Sequence, residues 1–126
     1  MSLLQPTPGE VLDRLCIVRL KIVAYHMAGK NDVALVDEGC QLLSYIQGLQ
    51  LSDSWSELAS QLEDTNRALW QAEDDVRSPS ATVLQIASTA HNITKLNDLR
   101  CSLIRQIDKA CGVESIEEKI YAQKEP

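Results

Sequence analysis

The chain has 126 residues, a net charge of −6 and an isoelectric point near 4.8, a length suited to one domain and a charge that excludes a general DNA or RNA binder. Phe is absent and aromatic residues make up only 4% of the chain, so the core must come from Leu, Ile, Val and Ala, which favours helices over a sandwich or barrel. Charges interrupt every apolar run before it reaches membrane-spanning length, and a cytoplasmic protein with neither nucleic acid nor membrane as partner is expected.

Thr7-Pro8-Gly9-Glu10 reads as a helix start, with Thr at the N-cap, Pro at N1 and Glu at N3 in capping-box spacing. The first helix then covers about 8–28, where Gly29 stops it. Val11, Leu12, Leu15, Cys16, Ile17, Val18, Leu20, Ile22, Val23 and Tyr25 wrap most of its circumference. A helix apolar nearly all round belongs at the centre of a bundle or in a subunit interface. Asn31 or Asp32 caps a second helix over about 32–46, with an apolar line of Val33, Val36, Cys40, Leu43 and Ile46. Ser54 and Glu57 repeat the capping-box spacing and open a third helix over about 55–77, with Leu58, Leu62, Leu69, Ala72 and Val76 as its core line. Ser78-Pro79-Ser80 breaks the chain before a fourth helix over about 81–111, ended by Gly112. Its seam is Val83, Ile86, Ala90, Ile93, Asn97, Arg100, Ile104, Ile107 and Cys111. The tail, 113–126, has room for one short helix that docks by Ile116, Ile120 and Tyr121.

These elements predict an all-α single domain, an antiparallel four-helix bundle with a short C-terminal tail helix. The third and fourth helices, roughly 35 and 45 Å long at 1.5 Å per residue, outreach the first two. A second copy covering the excess, a homodimer, is expected. The charge is divided to suit packed neighbours or a solvated acidic face: residues 32–75 carry ten acids against one base, and residues 76–111 five bases against two acids. The four cysteines, Cys16, Cys40, Cys101 and Cys111, lack metal or redox spacing and fall on apolar faces, so buried free thiols in a reducing compartment are expected.

Asn66, Trp70, Glu73 and Arg77 recur at i, i+4, i+7 and i+11, one stripe of the third helix. An amide, an indole, a carboxylate and a guanidinium on one stripe can form a hydrogen-bonded array. Asn97 and Arg100 sit on the apolar seam of the fourth helix, where an unpaired polar group costs a few kcal/mol, and Asn66, Glu73, Asp74 and Arg77 are their expected partners. Two readings follow. One is a buried ion-pair and amide network that fixes register or the dimer interface. The other is a pocket in which Glu73 and Asp74 act as acid, base or metal ligands and Arg77 and Arg100 clamp an anion. No cofactor is required, although Glu73, Asp74 and Asp98, with Asp13 or Glu10, are the acids that would hold Mg2+ if they converge. His26 and His91 read as surface residues, Trp55 and Trp70 as core or interface anchors, and there is no nucleophile elbow or phosphate-binding glycine loop.

Four segments carry a family resemblance: Gly9-Glu10-Val11-Leu12-Asp13-Arg14, the block Asn66 to Arg77, Asn97-Asp98-Leu99-Arg100, and Glu117-Glu118-Lys119-Ile120-Tyr121. In order and spacing they resemble a bacterial family of small helical proteins described only as a domain of unknown function. The resemblance implies that Asn66, Trp70, Glu73, Asp74, Arg77, Asn97, Asp98 and Arg100, with Glu118, Lys119 and Tyr121 of the tail, are characteristic positions. It departs from that pattern at Arg14, where Lys is more usual, and at Arg19, where an acid is.

The function expected is a non-enzymatic dimeric module that binds a partner protein or a small ligand. The alternative is a metal-assisted hydrolase of a phosphorylated small molecule, which resembles the all-helical nucleotide pyrophosphohydrolases in layout. Their paired E-x-x-E and E-x-x-D ligands have no counterpart here, since Val76 stands three residues after Glu73.

Overall fold

The computed structural model describes residues 5–49, 51 and 53–113. Among these residues it is all-helical, with α1 (Pro8–Met27), α2 (Val33–Gln47), α3 (Trp55–Arg77) and α4 (Val83–Ala110) and no strand. The tail helix and Glu118, Lys119 and Tyr121 lie outside the described residues.

Local chemistry sets the helix ends. Thr7 Oγ1 accepts from the Glu10 N–H at 3.2 Å, and Pro8 follows at N1, where its missing N–H costs nothing. Gly29 leaves α1 with φ +67°, the left-handed conformation that glycine adopts without strain. Asn31 Oδ1 caps α2 by accepting from Val33 N–H at 3.0 Å. The Ser54–Glu57 spacing does not form a capping box: Ser54, at the N-cap of α3, has helical dihedrals (φ −73°, ψ −11°) in place of the extended ones of a capping side chain, and makes no side-chain cap hydrogen bond. The complete box is Thr82 with Gln85, at 2.8 and 3.1 Å, so α4 starts after Thr82 rather than near Ala81.

α1 is the shared element: it packs against α2, α3 and α4, α3 and α4 pair most extensively, and α2 lies against α1. Val11, Leu12, Leu15 and Cys16 of α1 meet Ile46, Leu62, Leu103 and Ile107 in one core, with Trp55 and Leu58 packed on its side. The expectation of a central α1 fits its first half only, where most residues are buried although Glu10 is exposed. Its buried residues end at Val18, whereas Val23 and Met27 are 62% and 82% exposed. α2 departs further. Gly39 lies on the side of α2 that faces α1, where a Cβ would stand 3.5 Å from Val18. The line Val33, Val36, Cys40 and Leu43 therefore faces outward, and Ile46 alone of the expected five is buried. In α4 the seam is buried at Ile107 and half-buried from Ile93 to Ile104, but Val83 and Ile86 are exposed; Leu103, outside that seam, is 1% exposed.

The cysteines correct the expectation in the same way. Cys16 is buried, Cys111 is half-buried, and Cys40 and Cys101 are exposed, all as free thiols. Burial pushes the Cys16 thiol up to about 11, reinforced by Glu63 and Asp13 and opposed by Arg19 and Asn66. A thiol reagent near neutral pH is therefore expected to modify Cys40 and Cys101 rapidly and Cys16 only on unfolding, as read by mass spectrometry of the alkylated chain. Because folding raises this pKa above its ordinary 9.0, the contribution is full below about pH 9 and is lost as the pH climbs through about 11. The urea midpoint should fall across that window, and by less in Cys16→Ala.

Candidate functional site

Asp13 is the centre of the polar site. It stands on the buried half of α1, flanked by Leu12, Cys16 and Val11, and is itself 6% exposed. Taking a carboxylate out of water is costly unless both oxygens are satisfied. Asn66 of α3 donates its amide to Oδ1 at 2.9 Å. Arg100 of α4 donates Nε to the same oxygen at 2.8 Å and Nη2 to Oδ2, so the guanidinium fork takes both oxygens. Asp13 holds the Arg100 pKa above its ordinary value, with a smaller contribution from Glu73. One carboxylate thus ties α1 to α3 and α4 at a single level of the fold.

A second tie lies at the start of α1. Asp108, 4% exposed on α4, accepts from the Gly9 N–H at 2.7 Å. Gly9 is in the first helical turn, where the N–H has no intrahelical partner and the helix dipole favours an anion. Asp108 therefore caps α1 from another helix. Among the described residues no buried side-chain N or O atom lacks a hydrogen-bond partner.

Of the eight positions expected to form a polar pocket or network, Asn66 and Arg100 join through Asp13. Trp70 is half-buried and turns toward α1, where it lines a groove with Leu20 and Val23. Asn97 is half-buried. Glu73, Asp74, Arg77 and Asp98 are exposed, with Arg77 and Glu73 paired at 3.9 Å on one face of α3. Arg100 thus takes its carboxylate from α1 rather than from Glu73 or Asp74. Among the described residues no group of three His, Cys, Asp or Glu side chains converges on a metal-sized site. His26 and His91 are exposed.

Sequence reasoning missed Asp13 and Asp108 as the two anchors. The signal was present in both, an acid with apolar residues one turn away: Gly9 and Cys16 around Asp13, Ile104 and Cys111 around Asp108. Chemically, the arrangement is a clamp. Both oxygens of Asp13 are occupied, and the neighbouring Cys16 keeps its proton at neutral pH, which leaves it without the thiolate a nucleophile needs.

The family whose description reads "Protein of unknown function (DUF4254)" matches residues 56–125, the span from α3 through α4 and beyond. No curated protein and no solved structure gives a match.

Proposed function

The chain belongs to the DUF4254 family, whose description assigns no function, and we propose that it is a non-enzymatic helical module that works as a cytoplasmic homodimer and binds a partner protein or a small ligand. The observation that carries this reading is the outward face of α2. Val33, Val36 and Leu43 are exposed there at 69%, 43% and 38%, a line of apolar residues at helical spacing. Such a stripe suits a self-complementary interface about a two-fold axis. The antiparallel bundle and a surface free of nucleic-acid or membrane contact belong to the same reading. So does the absence of a resident cofactor. Asp13, Asn66 and Arg100 have a structural role in it, holding three helices in register.

Light scattering at micromolar concentration tests it. The chain is expected at twice its 14.0 kDa mass, and Leu43→Glu, which places a charge in the stripe without touching the core, should return it to monomer. A monomeric parent chain sinks the dimer reading.

A further inference from the structure

Between α1 and α3 lies a groove of about 380 Å3, lined by Cys16, Arg19, Leu20, Val23, Ala24, Glu63, Arg67 and Trp70. Its floor and walls are apolar: Leu20, Val23 and Ala24 on one side, the Trp70 indole on the other, and the protonated Cys16 thiol at the inner end. Its rim is charged. Arg67 is already paired with Glu63 at 3.1 Å and Asp64 at 3.3 Å. Arg19 makes no ion pair among the described residues. Glu63 and Asp64 thus satisfy Arg67, and Arg19 is the lining cation left to meet an anion, in a chain whose net charge is −6.

The geometry points to a binding site for a small amphiphilic anion, its apolar body laid between Trp70 and the α1 side chains and its carboxylate on Arg19. The volume lies at the low end of the roughly 300–1,000 Å3 of small-molecule clefts, too small for a helix and sufficient for a short acyl chain or a single flat ring. An aromatic wall supplies contact area at little entropic cost. A guanidinium suits a carboxylate because its planar fork matches the two oxygens. This inference names a ligand class within the binding-module reading, and it stands apart from dimerisation. Mass tests the dimer, and heat of binding tests the groove.

Titration calorimetry with octanoate, kept below its micellar concentration, tests the site against two controls of the same chain length, octanol and octyltrimethylammonium. Octanoate is expected to bind at one equivalent per chain, and about tenfold more tightly than the cation. Arg19→Gln should remove the preference for the anion while leaving octanol binding unchanged. Val23→Glu, at a wall position that is 62% exposed and so tolerant of a charge, should weaken octanoate by a similar factor. Equal binding of anion and cation overturns the proposal, as does uptake of many equivalents or an anion preference that survives Arg19→Gln. Absence of octanoate binding also overturns it. If that absence comes with Val23→Glu splitting a dimer, the groove belongs to a second copy instead.

Discussion

Asp13→Ala is expected to cost about 2–4 kcal/mol of stability, a large share of what a domain this size has. The substitution removes the acceptor of three hydrogen bonds, leaving the Asn66 amide and the Arg100 guanidinium without it. Breaking a buried pair from one side costs about 3–5 kcal/mol because the partner charge is stranded. Arg100 is 31% exposed, so water recovers part of that loss. Asp13→Asn keeps a carbonyl oxygen and should lose roughly half as much. In a double-mutant cycle with Arg100→Ala the two losses should fall well short of additive, since the residues share one interaction. Urea unfolding followed by circular dichroism reads the parent and all four variants. A loss below about 1 kcal/mol for Asp13→Ala, the range of an exposed pair, would show that the clamp does not hold the helices in register.

Gly9→Ala is expected to destabilise by about 2–4 kcal/mol, against the direction that helix propensity sets. In an unobstructed helix the same change stabilises by roughly 0.5–1 kcal/mol. Here a Cβ would stand 2.5 Å from the Ile104 carbonyl oxygen and 2.9 Å from Asp108 Oδ1. The first of these is backbone, so no rotamer change relieves it, and α1 has to move off α4. Overpacking of this kind costs about 1–3 kcal/mol, and the shift also stretches the Gly9 N–H bond to Asp108, a hydrogen bond to a buried carboxylate. Gly39→Ala is the control. Its Cβ would meet Val18 at 3.5 Å and Ile22 at 3.9 Å, ordinary contact distances, so propensity should win and the variant should be as stable as the parent or more so. If Gly9→Ala behaves like Gly39→Ala, the close approach of α1 and α4 is not a constraint.

Both variants act through contacts that sequence reasoning located only in part. The clamp was half legible. Asn66 stands on the polar stripe of α3 and Arg100 on the apolar seam of α4, where the cost of leaving a polar group bare calls for a partner. The expected partners of Arg100 are Asn66, Glu73, Asp74 and Arg77 of the third helix, and the acid it takes is Asp13 of α1, because helical spacing relates residues within one helix and says nothing about which helix presents the acid. Asp108 escaped for a similar reason: capping rules look for a side chain near the helix start in sequence, and this one is 99 residues away from Gly9.

What the sequence determined by itself is the set of helices. For the four helices among the described residues, each expected end lies within two residues of the observed one, and Gly29 and Gly112 take up the left-handed conformation at the stops assigned to them. Capping, proline and glycine chemistry are local, so the sequence alone carries them. The burial of each face was decided by the tertiary structure. An apolar line at helical spacing shows that a face wants cover, not whether this chain supplies it: α3 buries Leu62, Leu69 and Ala72, while α2 sets the side that carries Gly39 against α1 and turns Val33, Val36 and Leu43 outward. Helix ends follow from interactions within a few residues. The partner of a face depends on which helices meet, and only the packed chain fixes that.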